Sequence, residues 1–266
     1  MHRNATPWLR GLLAALGLVC VFGMAKAQPG GPQFDPTHYW TYHILDQFTT
    51  GPQPIFVRDQ FFKQGVAVSV DSLDRLLNWV QKNNSAVTDT LIHYTWWNII
   101  EKLPVNRLVT VTNQFGSFPV QVLNLEFLLA PAFKNFTNAV GQPPTANHYL
   151  CYKATGFPGP PVGFDMRDEW HVDFQKPQDL QYLCAPCLKQ HLGQTFPVVD
   201  TVTHFAVYPI TPTSQNFVPF ILDQFLNHQH FVTQFPIEYL FVPSDKIDRP
   251  TASKRSTWGR LKELYR

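Results

Sequence analysis

One short pattern recurs four times along the chain, and it constrains the fold more than any other feature. Each copy opens on a histidine followed by an aromatic residue, with another aromatic four positions after the histidine. The openings are His38-Tyr39 with Tyr42, His93-Tyr94 with Trp97, His148-Tyr149 with Tyr152, and His204-Phe205 with Tyr208, and the histidines are spaced 55, 55 and 56 residues apart. An acid or amide, then Gln or Glu, then an aromatic follows 19 to 21 residues later: Asp59-Gln60-Phe61, Asn113-Gln114-Phe115, Asp168-Glu169-Trp170 and Asp223-Gln224-Phe225. Each copy closes on a leucine-led segment ending in lysine, from Leu76 to Lys82, Leu128 to Lys134, Leu183 to Lys189, and Leu240 to Lys246. A small unit repeated in tandem cannot bury its apolar face alone, so neighbouring copies must share a core.

Between the anchors the residues favour extended backbone. Val66-Ala67-Val68-Ser69-Val70 and Leu108-Val109-Thr110-Val111-Thr112 are rich in β-branched side chains, and Lys63-Gln64-Gly65 and Gly116-Ser117 fall where hairpins turn. The predicted architecture is all-β: four tandem units of about three strands, at 37–90, 91–146, 147–202 and 203–247. Units of that kind pack as paired sandwich or barrel-like modules, or alternatively as a four-bladed propeller-like ring. One segment reads as helix, Asp71 to Lys82, because Leu73, Leu76, Leu77 and Val80 fit a helical face.

Residues 1–27 have the order of a secretory signal: His2, Arg3 and Arg10, an apolar run from Gly11 to Met24, and Ala25-Lys26-Ala27 as a cleavage site near Ala27. The apolar run is short for a membrane span. A secreted or periplasmic chain is therefore expected, with a linker over 28–36 and no stable membrane span in the mature part. Six basic residues against two acids give the tail at 248–266 a charge of +4, and this end reads as a frayed terminus. Charged residues are only 15% of the chain and aromatics 14%, so much must be buried or presented as aromatic contact surface. A net charge of +2 argues against nucleic acid as a partner. Asn135-Phe136-Thr137 is a glycosylation sequon where the source modifies such sites.

The third unit, His148-Tyr149-Leu150-Cys151-Tyr152-Lys153 leading to Leu183-Cys184-Ala185-Pro186 and Lys189, resembles a family of uncharacterised bacterial secreted domains of unknown function. The second and fourth units are similar in outline without the two cysteines, and the first also lacks the closing proline. The resemblance implies a module type and an extracytoplasmic setting. It implies no activity.

Candidate chemistry centres on the cysteines. Cys184-Ala185-Pro186-Cys187 has the form of a thiol-disulfide exchange motif, and Cys151, Cys184, Cys187 and His191 are the ligand types of a zinc site. An oxidising compartment favours a structural bridge instead. The other copies place Thr41 with Leu77, Trp96 with Leu129, and Val207 with Phe241 at the positions of Cys151 and Cys184, so those two are expected to face one core and to pair. Cys187 matches Val80, Ala132 and Ser244 and is expected at a less buried site as the odd thiol, open with His191 to redox or metal chemistry. His228-Gln229-His230 reads as a solvated turn. The recurring His38, His93, His148 and His204, with Asp59, Asn113, Asp168 and Asp223, read as requirements of the fold, since the charge is lost at Asn113. No phosphate loop, nucleophile elbow, zincin helix or dinucleotide fingerprint occurs. The leading expectation is a non-catalytic binding or structural module without cofactor, contacting an extracellular protein or carbohydrate. The alternative is a thiol-disulfide oxidoreductase using Cys184 and Cys187.

Overall fold

The computed structural model describes residues 37–248 other than 85–86, 88, 136–144, 214–215, 227–228 and 231–232. The leader, the linker, the tail beyond Asp248, Phe136 and Thr137 of the sequon, and His228 lie outside the described residues. All regular structure within them is β. The first copy forms β1 (His38–Arg58) and β2 (Val66–Lys82), and the second forms β3 (His93–Ile99), β4 (Pro104–Asn113) and β5 (Gly116–Asn135). The third forms β6 (His148–Thr155), β7 (Phe164–Arg167), β8 (Val172–Gln175), β9 (Tyr182–His191) and β10 (Gln194–Phe196). The fourth forms β11 (His204–Thr213), β12 (Asn216–Phe217), β13 (Phe220–Leu222), β14 (Gln229–His230) and β15 (Thr233–Asp248).

The segment expected as a helix, Asp71 to Lys82, is the second half of β2. Register shifts on either side of Leu73 change the parity of the strand, so Leu73, Leu76 and Val80 reach one core while Leu77 faces the other. An irregular strand thus mimics the three-to-four spacing of a helix.

Two strands from each copy close an uneven ring of eight. Each opening strand pairs antiparallel with its own closing strand: His38 opposite Val80, His93 opposite Ala132, His148 opposite Cys187, and His204 opposite Ser244. Between copies the register also repeats, with Tyr94 opposite Leu77, Tyr149 opposite Leu129, Phe205 opposite Cys184, and Tyr39 opposite Phe241. The last of these seams joins the final strand to the first. Of the packings open to the sequence, the barrel-like one is nearest, as one uneven ring shared by the four copies and not an even barrel.

Alternation along the ring strands creates two cores. One face of each strand packs Tyr39, Tyr94, Tyr149 and Phe205 into a closed circle of rings with centroids 5.3, 5.7, 4.9 and 5.7 Å apart in sequence around it. Below them Trp96 stacks on Phe127, and the Cys151–Cys184 disulfide spans a Cα separation of 4.0 Å. The Arg75 guanidinium, ion-paired to Asp74 and Glu238, lies 4.7 Å from the Trp96 ring at that end. An eight-stranded ring is just wide enough for side chains to fill it, as they do here.

The opposite faces carry Trp40, Tyr42, Leu76, Trp97, Leu128, Tyr152, Leu183, Tyr208 and Leu240, which form the larger core. Arms between the ring strands cover it. Each arm adds antiparallel to the end of a closing strand two copies away: residues 56–58 of β1 on β9, 109–112 of β4 on β15, 166–167 of β7 on β2, and 220–222 of β13 on β5. Ring strands are therefore buried on both faces, and this is where the aromatic surplus goes. Of the exposed large hydrophobics among the described residues, Phe56 and Phe174 are the aromatic ones.

Candidate functional site: the histidine end of the ring

Each acid or amide anchor makes the same local turn and then reaches across the molecule. One side-chain oxygen accepts the backbone N–H groups two or three residues on, from Phe61 and Phe62 to Asp59, Phe115 to Asn113, Trp170 and His171 to Asp168, and Phe225 and Leu226 to Asp223. Such a turn is what short polar side chains favour. The second polar atom meets the outer face of the copy two along. Asp168 accepts from Trp40 Nε1 at 2.7 Å, Tyr42 Oη at 2.6 Å and Asn78 Nδ2 at 2.7 Å; Asp59 accepts from Tyr152 at 2.7 Å; Asp223 accepts from Trp97 Nε1 at 2.8 Å and from Thr95. Asn113 instead donates, to Tyr208 Oη at 3.0 Å and Ser244 Oγ at 3.2 Å. Tyr42, Trp97, Tyr152 and Tyr208 are buried under these contacts. Burial raises the carboxyls of Asp59 and Asp223 above the usual range.

The residue after each acid turns back to the histidine end. Gln60 Nε2 lies 2.8 Å from His204 Nε2, Gln114 Nε2 lies 2.6 Å from His38 Nε2, and Gln224 bonds His148 in the same way. The aromatic that follows receives the closing lysine of the copy before it: Lys82 over Phe115, Lys134 over Trp170, Lys189 over Phe225 and Lys246 over Phe61, at 5.5, 3.8, 4.2 and 4.7 Å. Four equivalent sockets result, each built from a lysine, a histidine, a glutamine or glutamate, and an aromatic.

The sockets are not equally satisfied. Lys82 donates to Gln114 Oε1, and Lys134 donates to Asn78 Oδ1 and pairs with the Glu169 carboxylate. His204 uses both nitrogens, since its Nδ1–H donates to Val202 O at 2.8 Å while Nε2 takes Gln60. In the third socket Lys189 Nζ, His148 Nδ1, His191 Nε2 and Gln224 Oε1 are all buried without a hydrogen-bond partner. Lys189 is 0% exposed, and burial pulls its ammonium down to about 7. His148 is held well below the usual imidazole range by burial and by Lys189. His93 Nδ1, in the second socket, is also unpartnered. A cleft of about 530 Å³ opens beside the third socket, lined by His148, Phe196, Pro197, Val199, Asp223 and Gln224 among others. Its counterpart one copy on, about 560 Å³, is lined by Gln60 and His204 with Arg58, Lys63 and Pro186.

A family described as a repeat of unknown function (DUF7450) matches residues 93–242. The chain belongs to this family. The matched stretch of the repeat runs from the His93 of β3 to Val242, which pairs with Ala206 inside β15 and β11. The first copy lies outside the match and shares the same register. No curated protein and no solved structure is similar to the chain.

The remaining expected residues are distributed as follows. Cys151 and Cys184 point into the ring and are joined, so the set Cys151, Cys184, Cys187 and His191 is not free to gather around one zinc ion. Among the described residues no group of three or more His, Cys, Asp or Glu side chains is placed to hold a metal. Cys187 faces the outer core and is 0% exposed, contrary to the expectation of a less buried site, and burial pushes its thiol well up. The reason is that the position opposite the opening histidine lies beneath an arm. Among the described residues no helix is long and apolar enough to cross a membrane. Sequence reasoning passed over the lysines and the glutamine or glutamate of each anchor as site residues. Their signal was present: a polar pair repeated at fixed spacing in an apolar context.

Proposed function

We propose that the chain is a non-catalytic binding module working outside the reducing cytosol, with the ring as scaffold and the cleft over His148 as its contact site. One observation carries this reading: four unpartnered polar atoms gather at the third socket, against His93 Nδ1 in the second, and they lie beside a cleft of ligand size. The disulfide and the secretory order of residues 1–27 support an exported setting. The thiol-exchange alternative gains no support from the geometry. Cys184 and Cys187 lie on opposite faces of β9, and a nucleophilic thiol needs a lowered pKa and access, whereas Cys187 has neither.

The test is a thermal-shift screen of the oxidised chain against small acids, sugars and peptides, repeated on Val199→Trp. Val199 is 61% exposed on the cleft, so the indole adds bulk without entering a core. Ligands whose stabilising effect disappears in the variant support the reading. Turnover of a dithiol substrate by the oxidised chain, or ligands indifferent to Val199→Trp, would sink it.

A further inference from the structure

The four sockets act as controls for one another, and the comparison identifies what the third one lacks. In the second socket the residue after the acid is Glu169, and its carboxylate pairs with Lys134 while Lys134 sits over the Trp170 ring. In the third socket the same place holds Gln224. Lys189 sits over Phe225 at 4.2 Å and Phe196 at 4.8 Å in the same manner, yet no oxygen reaches its Nζ. A buried amine without an acceptor is costly, because ring contacts and the nearby Asp223 charge replace only part of the water it has given up. Gln224 Nε2 is committed to His148 Nε2, so in a neutral imidazole the proton sits on Nδ1 and adds a second unused donor. The Asp223 carboxylate beside it is already occupied by Thr95, Trp97, Phe225 and Leu226. Phe196, Pro197 and Val199 give the cleft an apolar wall beside His148, Asp223 and Gln224, and the Phe196 ring of that wall lies 4.8 Å from Lys189 Nζ.

We propose that the third socket seats the carboxylate of a small organic acid, which closes on Lys189 as Glu169 closes on Lys134, while the apolar body of the acid lies along Phe196, Pro197 and Val199. The proposal rests on the reading of this cleft as the contact site and names its ligand class. Charge-assisted contact supplies the affinity, and the apolar wall adds burial.

The probes are benzoate and its neutral isostere benzamide, titrated into the oxidised full chain with amide NMR detection, for the wild type, Gln224→Glu and Glu169→Gln. Gln224→Glu installs the carboxylate that the second socket carries and leaves every core residue in place. The wild type is expected to bind benzoate saturably with shifts at His148 and Gln224, and benzamide at least about tenfold more weakly. Gln224→Glu is expected to lose benzoate by a similar factor without a lower melting temperature, and Glu169→Gln to gain a second seat at Lys134. Benzamide binding as tightly as benzoate overturns the carboxylate assignment while leaving the cleft a binding site. Unchanged benzoate binding in Gln224→Glu places the probe elsewhere and also overturns it. Absence of any cleft-dependent ligand in the wider screen is instead the failure of the binding-module reading itself.

Discussion

At the scale of single residues, the identity of each acid or amide anchor follows the chemistry of the atoms it meets. Asp168 and Asp223 face indole N–H groups, which only donate, and both are acids. Asn113 faces the hydroxyls of Tyr208 and Ser244, which can accept from its amide. The loss of charge at Asn113 therefore does not weaken the turn. It follows that Asp59→Asn, whose partner is the Tyr152 hydroxyl, should cost about 1 kcal/mol or less, while Asp223→Asn strands the Trp97 N–H and should cost about 2 to 3 kcal/mol in urea unfolding. Equal costs would show that the partner's chemistry does not select the anchor. The histidines set the response to acid. Burial lowers His204 to about 4, and His93 and His148 are lowered as well. A base lowered in the fold takes up protons more readily when unfolded, so its contribution is intact above about 6.5 and is lost as pH falls towards the folded value. For His204 the loss between pH 6.5 and 4 is about 3 kcal/mol. Asp59 and Asp223, raised in the fold, act in the opposite sense and favour the folded state as pH falls. Stability measured by urea unfolding should fall from pH 6.5 to 4, and His204→Gln should flatten that fall even though it lowers stability at pH 7.

At the scale of elements, the arms hold the outer faces of the ring, and the turns that launch them are their weak points. Gly156 leaves β6 at a φ of +106°, and a Cβ there would lie 2.8 Å from Pro119 O. Gly193, at +76°, has open space around it. Gly156→Ala should therefore cost about 3 kcal/mol and loosen the third arm in hydrogen exchange, whereas Gly193→Ala should cost only about 1 kcal/mol. Similar costs would mean that backbone strain alone matters and the packing against β5 does not. The opening and closing strands of each copy were legible in the sequence, because each anchor is local and recurs at nearly fixed spacing, whereas the expected three strands per copy are two in the first copy and five in the third and fourth. The pairing of Cys151 with Cys184 was legible for the same reason, from the residue types that replace them in the other copies. Two things were hidden. The β2 irregularity at Leu73 produced a helical spacing from an extended chain. The partner of each arm is the copy two along, and nothing in a repeat of identical anchors says which copy an arm will cross to. The buried state of Cys187 depends on that crossing and was lost with it. The third socket was hidden more deeply, since a lysine without an acceptor is visible only beside Lys82 and Lys134, which have theirs.

At the scale of the whole molecule, the seam between β15 and β1 is built like the other three. Tyr39 meets Phe241 across it as Tyr94 meets Leu77, Tyr149 meets Leu129 and Phe205 meets Cys184. Its aromatic contacts are of the same kind, with Tyr39 and Phe205 at 5.7 Å closing the circle of rings. A ring whose seams are equivalent should not depend on which of them the chain leaves open. Asn83 and Asn84 are exposed between the first two copies, at positive φ of 46° and 58°, where a break removes no core contact. A permutant that begins after Asn84 and joins Asp248 to Thr37 by a flexible linker of about 10 to 15 residues should therefore fold, since added loop length costs only about 0.6 kcal/mol per doubling. The expected result is a near-ultraviolet dichroism spectrum like that of the parent, a stability within about 2 kcal/mol of it, and hydrogen-exchange protection retained at Tyr39 and Phe241. A soluble permutant that lacks protection at those two residues would show that the last seam forms only as the end of an ordered assembly from first copy to fourth, and that the equivalence of the seams in the finished ring does not extend to how the ring is made.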